Sequence, residues 1–213
     1  MKFDICKAVS EHKVIAILRG VDKDRVVETA QALYDGGIRL LEITFAQHSP
    51  TCIEDTRFAI GAVREQFGDK MAVGAGTVLT KEQAAAAHEG GAQFILSAVT
   101  DPSVIACANE LGMATVPGAM TPSEIQLGYS SGGDLIKVFP AGDMGLSYIK
   151  SVRAPLSHIP MLAVGGVDHN NLSDFLAVGV VGVGIGSNLA DPRLIVQGDF
   201  AEITRRARLY TAR

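Results

Sequence analysis

Lys137 stands inside LIKVF (135–139), a run that is otherwise apolar and is closed by Pro140. An ammonium in such a place is unfavourable unless it is paired or deprotonated. Desolvation lowers its pKa and frees the amine as a nucleophile, so this residue in this setting points to Schiff-base chemistry. A strand-end lysine reaching solvent is the plainer alternative; burial of a parallel barrel strand on both faces favours the nucleophile. Glu42, in RLLEITF (39–45), is a carboxylate in the middle of another apolar run. It suits a general acid–base or the partner of a buried cation. Side chains alternate along a strand, so Leu40, Glu42 and Thr44 share one face. If that face points inward, Glu42 and Lys137 enter the same space. A structural ion pair between them, or with Arg19, is compatible with either role. Arg19 ends VIAILR (14–19), where a guanidinium suits a substrate carboxylate or phosphate; a surface strand-end arginine is the alternative.

Glycines mark three further places. Gly74-Ala75-Gly76-Thr77 closes a run without completing the dinucleotide fingerprint, since Leu79 occupies its last position. Small residues there would let a ligand approach the backbone, and Thr77 could donate to a carboxylate; a plain tight turn is the alternative. Gly165-Gly166 and Gly184-Ile185-Gly186-Ser187 follow the last two apolar runs. In a barrel those slots frequently bind phosphate, with Ser187 as a hydroxyl donor. The five histidines show no HxH or HExxH spacing, so no metal site is expected. His48 follows the second run and reads as a solvated loop residue that could touch substrate.

Positioning these groups requires a regular scaffold, and the chain supplies one. Apolar, β-branched runs begin at Val14, Ile38, Met71, Gln93, Met113, Leu135, Pro160 and Val180. Each interval holds a loop, a helix and a return turn, which is the βα unit repeated eight times. Asp22 to Tyr34 carries a helical stripe ended by Gly36-Gly37. Thr80 reads as an N-cap with Gln83 at the capping-box position, and Gly90-Gly91 closes that helix. Thr100-Asp101-Pro102 opens another that ends at Gly112, and Thr121-Pro122-Ser123-Glu124 repeats the cap logic. The fold class is therefore α/β, a (β/α)8 TIM barrel, one domain over 1–213. A closed barrel is favoured over an open sheet by the count of eight and by the missing fingerprint. The first dozen residues suggest an extra amphipathic helix (Phe3, Ala8, Val9), either a plug over the barrel floor or a surface helix.

Composition excludes several classes. Of 213 residues, 47% are hydrophobic and 20% charged, which argues against disorder. The net charge is −4 and aromatics make up 6% with no Trp, so neither a basic nucleic-acid surface nor a base-stacking platform is expected. The 3 cysteines are scattered without a CxxC, against a disulfide framework or zinc ribbon. The N-terminus lacks a signal-peptide core and no apolar window approaches a membrane span. A cytoplasmic protein with a small-molecule partner, and neither nucleic acid nor membrane, is expected.

VIAILRG, LLEITF, VGAGTVLT, VPGAMTPSE, IKVFPA, AVGGV and GVGIGSNL occur in this order over nearly the whole chain. Together they resemble the class I aldolases that cleave 2-keto-3-deoxy-6-phosphogluconate, 2-keto-4-hydroxyglutarate and 2-keto-3-deoxy-6-phosphogalactonate. The resemblance implies a (β/α)8 barrel, a homotrimer, and a reaction that needs no metal and no cofactor. It assigns Lys137 to the Schiff base and Glu42 to acid–base work. It places Thr77 and Arg19 on the substrate carboxylate, Pro117 on the pocket wall, and Gly165, Gly166, Gly186 and Ser187 on the phosphate. Two positions depart. The phosphogluconate branch carries an arginine four residues after the glutamate, where this chain has Ala46, which shifts carboxylate binding onto Arg19 and Thr77. That branch also has Thr before the Gly-Gly pair, where Val164 looks like the phosphogalactonate branch. Other classes left open by the residues are a phosphate-binding epimerase or synthase that forms no imine, and a non-catalytic phosphosugar-binding protein.

Overall fold

Eight apolar runs give nine strands, all in one parallel sheet, in a computed structural model that describes residues 2–22 and 24–212. Met1, Lys23 and Arg213, which belong to the expected domain, lie outside the described residues. The strands are β1 (Val14–Leu18), β2 (Leu40–Thr44), β3 (Ala72–Gly76), β4 (Phe94–Leu96), β5 (Ala114–Val116), β6 (Gly118–Ala119), β7 (Ile136–Val138), β8 (Met161–Val164) and β9 (Gly182–Ile185). Their order is β5-β4-β3-β2-β1-β9-β8-β7-β6. The ninth strand arises because Pro117, which has no N–H for a ladder, divides one run into β5 and β6. β5 pairs with β4 and β6 with β7, so the two ends of the ladder meet in the same stretch of chain. The Lys137 N–H donates to the Pro117 carbonyl at 2.9 Å and the Phe139 N–H to Ala119 at 3.0 Å, which carries β7 onto that run. The result is the expected (β/α)8 barrel.

Two apolar layers follow from strand alternation. Val14, Ala16 and Leu18 of β1, Leu41 and Ile43 of β2, and Ile136 and Val138 of β7 face outward into the helices. Ile15, Ile17, Leu40, Phe94, Leu96, Leu135 and Leu162 fill the interior. Helix α1 (Ile5–His12) belongs to that interior cluster: Ile5 and Val9 are buried, and Phe3 stacks on Phe94 with ring centroids 5.9 Å apart. The N-terminal helix is thus the plug of the two readings. Gly182 makes its seat, since a Cβ there would lie 2.4 Å from Val9 Cγ1.

The outer ring comprises α2 (Val26–Asp35), α3 (Cys52–Phe67), α4 (Lys81–Glu89), α5 (Pro102–Glu110), α6 (Pro122–Ser130), α7 (Ala141–Arg153), α8 (Leu172–Ala177), the short α9 (Pro192–Gln197) and α10 (Phe200–Thr211). The first of these corrects the expected start at Asp22. Asp22 instead accepts the N–H of Asp24 on its side chain and that of Arg25 on its carbonyl, a local turn that delays helix formation to Val26. The cap readings hold at Asp101, which takes the N–H groups of Ser103 and Val104, and at Thr121–Glu124, where the capping box is complete. α10 returns to α2 and closes the ring, with Thr204 and Thr211 donating to the Ala32 and Gly36 carbonyls.

Candidate active site

Lys137 is on the inward face of β7, between Leu135 and Phe139, and is 4% exposed. Its Nζ lies 5.1 Å from the centre of the Phe139 ring. Burial holds the amine below its usual pKa; Glu42 opposes this and Arg19 reinforces it. Glu42 is on the inward face of β2, level with Ile17 of β1 and Gly74 of β3, and is 1% exposed. Burial raises its pKa, against the opposing pull of Lys137 and then Arg19. The two groups influence one another, yet neither is in an ion pair within 4.0 Å among the described residues. Glu42 Oε2 is buried with no hydrogen-bond partner. Burial thus moves the two groups in opposite directions, each away from its charged form.

Gly76 has a function that the sequence did not disclose. A Cβ there would lie 1.8 Å from Glu42 Oε1. The glycine at the end of β3 makes room for a carboxylate of this protein, where sequence reading saw an approach for ligand. Gly74 likewise yields to the Phe94 ring, 2.3 Å from its would-be Cβ. Gly76→Ala must therefore push the Glu42 carboxylate off its position, and a displacement of about 1 Å costs about 10²-fold in rate. Steady-state turnover of Gly76→Ala is expected to fall by that order, with most of the loss in kcat.

At the ends of β1, β8 and β9 lies a cavity of about 280 Å³, whose lining includes Phe139 and Ile17 but neither Lys137 nor Glu42. Ile17, Val164, Phe139 and Gly184 line its depth, and Arg19, Gly165, Gly166, Gly186 and Ser187 also line it. Gly165 and Gly166 have φ of 86° and 71°, a conformation that favours glycine. A Cβ on Gly166 would lie 2.8 Å from Gly142 Cα, so the loop after β8 packs directly on the start of α7. After β9, the N–H groups of Leu189 and Ala190 fold back on the Gly186 carbonyl at 2.9 and 3.0 Å, a single turn. Ser187 at its head is exposed. Asn188, which sequence reading passed over, also lines the cavity and donates to the Val167 carbonyl, joining the two loops. A polar residue after GIGS was the available signal. Arg19 is exposed and among the described residues makes no ion pair.

Two expected residues sit elsewhere. Thr77 is on the loop after β3, half-buried, with φ of 55°, and does not line that cavity. The Pro117 ring packs outward against Gly128 of α6 and Gly133, so its tie to the site is the carbonyl that receives the Lys137 N–H. His48 is exposed. Among the described residues, no three His, Cys, Asp or Glu side chains gather as a metal site would.

A closed parallel barrel with a buried lysine and a buried carboxyl inside it, under a glycine-lined mouth, defines an imine-forming lyase, a class I aldolase. The chain belongs to the KDPG and KHG aldolase family, whose sequence model matches residues 5–206. It is 37% identical over 177 residues to the 2-dehydro-3-deoxy-6-phosphogalactonate aldolase of Escherichia coli (strain K12), covering 83% of each chain. It is 34% identical over 201 residues to a 2-dehydro-3-deoxy-phosphogluconate aldolase of Treponema pallidum (strain Nichols), covering 94% of this chain and 92% of that one. Its fold is similar to that of a KDPG aldolase from Legionella pneumophila holding pyruvate, captured at low pH, as a covalent carbinolamine. The TM-score is 0.85 at 25% identity, over 97% of this chain and 98% of that one.

Proposed function

We propose that the protein cleaves a 2-keto-3-deoxy-6-phospho sugar acid, of the gluconate or galactonate series, to pyruvate and glyceraldehyde 3-phosphate. The observation that carries this reading is the burial of Lys137 and Glu42 inside the barrel, each close enough to shift the pKa of the other. Neutral Lys137 Nζ attacks the substrate C2 carbonyl. Glu42, through a water, delivers and recovers the protons of carbinolamine formation, and dehydration then releases one water. The resulting iminium is an electron sink. Glu42 or its water removes the C4 hydroxyl proton, the C3–C4 bond breaks, and its electron pair passes to the iminium as an enamine. The aldehyde departs; protonation at C3 and addition of water release pyruvate and the free amine. Arg19 and Thr77 hold the carboxylate, while Gly165, Gly166, Gly186 and Ser187 hold the phosphate, so that remote binding energy orients the reacting end.

The whole chain acts as one domain in this reading, and as a homotrimer. A cytoplasmic setting is part of the same proposal, supported by free thiols at Cys6, Cys52 and Cys107.

The test is pyruvate release from both C4 epimers of the phosphorylated acid and from 2-keto-4-hydroxyglutarate. Turnover of at least one phosphorylated epimer, well above that of hydroxyglutarate, is expected; no pyruvate from any of the three overturns the reading. Ser187→Ala removes one hydrogen bond to a charged group, worth about 1.5–3 kcal/mol. Its kcat/KM for the phosphorylated substrate is expected to fall about 10- to 150-fold, with hydroxyglutarate cleavage unchanged.

A further inference from the structure

Gln83 occupies the capping-box position after Thr80, but its side chain does not close the box. Thr80 Oγ1 accepts the Gln83 N–H at 3.2 Å, as an N-cap does. Gln83 Oε1 instead accepts the Leu79 N–H at 2.7 Å, one residue before the cap. Its Nε2 donates at 2.8 Å to Gln47 Oε1, on the loop after β2. Gln47 Nε2 in turn donates to the Thr77 carbonyl at 2.7 Å.

A side-chain amide can be turned end for end, and here the polarity is fixed. At one end a backbone N–H can only donate; at the other a carbonyl can only accept. One orientation of each glutamine satisfies all three bonds. Gln83 is 5% exposed and Gln47 is exposed, so the relay runs from the packed interior of the β3–α4 loop to a residue with little packing of its own. What it grips is a β-branched residue in the left-handed region, where such residues rarely rest unless their surroundings hold them. Backbone bonds pin the residues on either side of Thr77, with the Phe45 N–H on the Gly76 carbonyl and the Val78 N–H on the Leu96 carbonyl. Thr77 itself is held through its carbonyl by Gln47.

We propose that Gln47 and Gln83 are positioning residues for the substrate carboxylate, an amide relay between the β2–α3 and β3–α4 loops that keeps Thr77 in its binding conformation. The proposal rests on Thr77 being a carboxylate ligand. The segment from Phe45 to Thr51 carries neither Lys nor Arg, so this loop acts on the carboxylate through the opposite loop and not by a cation of its own.

The test is borohydride trapping at varied pyruvate concentration, with melting temperature recorded for each variant. Gln47→Ala is expected to raise the half-saturating pyruvate concentration about tenfold, the effect of one hydrogen bond, at unchanged maximal adduct and unchanged Tm. Gln47→Glu turns a carboxylate toward the Thr77 carbonyl and is expected to be worse. Relative to wild type, it recovers only as pH falls toward about 4.3, where the new carboxyl protonates and donates again. Thr77→Ala separates the two claims. If it leaves pyruvate saturation unchanged, Thr77 is no ligand and the underlying reading fails. If it weakens saturation while the Gln47 variants do not, the relay fails. In the Thr77→Ala background, Gln47→Ala is expected to add nothing. A loss confined to Tm in the Gln47 variants assigns the relay to stability alone and overturns the proposal.

Discussion

Lys137→Met abolishes the covalent adduct. Wild-type protein treated with pyruvate and borohydride gains a pyruvate-sized mass increment, and Lys137→Met and Lys137→Ala gain none at any pyruvate concentration or pH. The amine is the only atom in the proposed sequence that bonds to substrate, so nothing compensates for it, and the loss is complete. Wild type without an adduct at any pH overturns the imine reading. The phosphate-binding barrel without covalent chemistry then becomes the better account. The methionine variant also separates chemistry from folding. Lys137 has its pKa lowered by burial, so the unfolded chain binds its proton more readily than the folded one. The native state is penalised where the amine is protonated in both forms, and the penalty fades as pH rises through the folded pKa toward the ordinary value of 10.5. Lys137→Met removes it. Its Tm is expected to exceed that of wild type at neutral and acidic pH, by about 2–4 °C for each kcal/mol relieved, and the gap closes in alkali. An inactive variant that melts higher is an enzyme from which a functional liability has been removed.

That liability is also why the centre of the site was legible before any coordinates. Lys137 and Glu42 break the apolar pattern of their own strands, and a violation of pattern at a buried position is itself the signal. Alternation along β2 and β7 then gives the face, and the structure places both side chains on the inner one. The barrel was legible for a related reason: eight runs, several of them separated by a helix that opens on a cap and closes on Gly, leave few other arrangements. Features that depend on partners distant in the chain were not legible. Nothing local to Gly76 says that Glu42 occupies its missing side chain. The spacing Thr80–Gln83 correctly gave the N-cap bond and wrongly closed the box. The Gln83 amide had a tertiary partner, Gln47, that no local rule contains. Pro117 was visible as a turn in the wall. Its orientation was not, because an outward ring depends on the glycines at 128 and 133 that leave space for it.

Glu42→Gln should slow turnover by about 10²–10⁴, the usual contribution of a positioned acid–base, while still forming some adduct with pyruvate. Glutamine keeps the shape and can donate a hydrogen bond, but it can neither deliver nor accept the protons of dehydration and of C4 hydroxyl deprotonation. The pH dependence gives a second readout whose sign is set by the site. Glu42 is the group that pulls the Lys137 pKa upward against desolvation. With Gln in its place that pull is gone, the amine deprotonates at lower pH, and the acid limb of adduct formation moves to lower pH. Arg19 acts in the same direction, since it lowers the Lys137 pKa and remains in the variant. Stability follows the opposite charge. Glu42 has its pKa raised above the ordinary 4.5 by burial, so the native state is penalised above the folded pKa and relieved as pH falls toward 4.5. Glu42→Gln should therefore raise Tm at neutral pH and match wild type in acid. A purely structural carboxyl shifts the acid limb in the same way but predicts adduct and turnover lost in equal proportion. Turnover that falls while the adduct is kept assigns the proton traffic to Glu42. Equal loss of adduct in the Lys137 and Glu42 variants removes that assignment and leaves the imine without an identified acid.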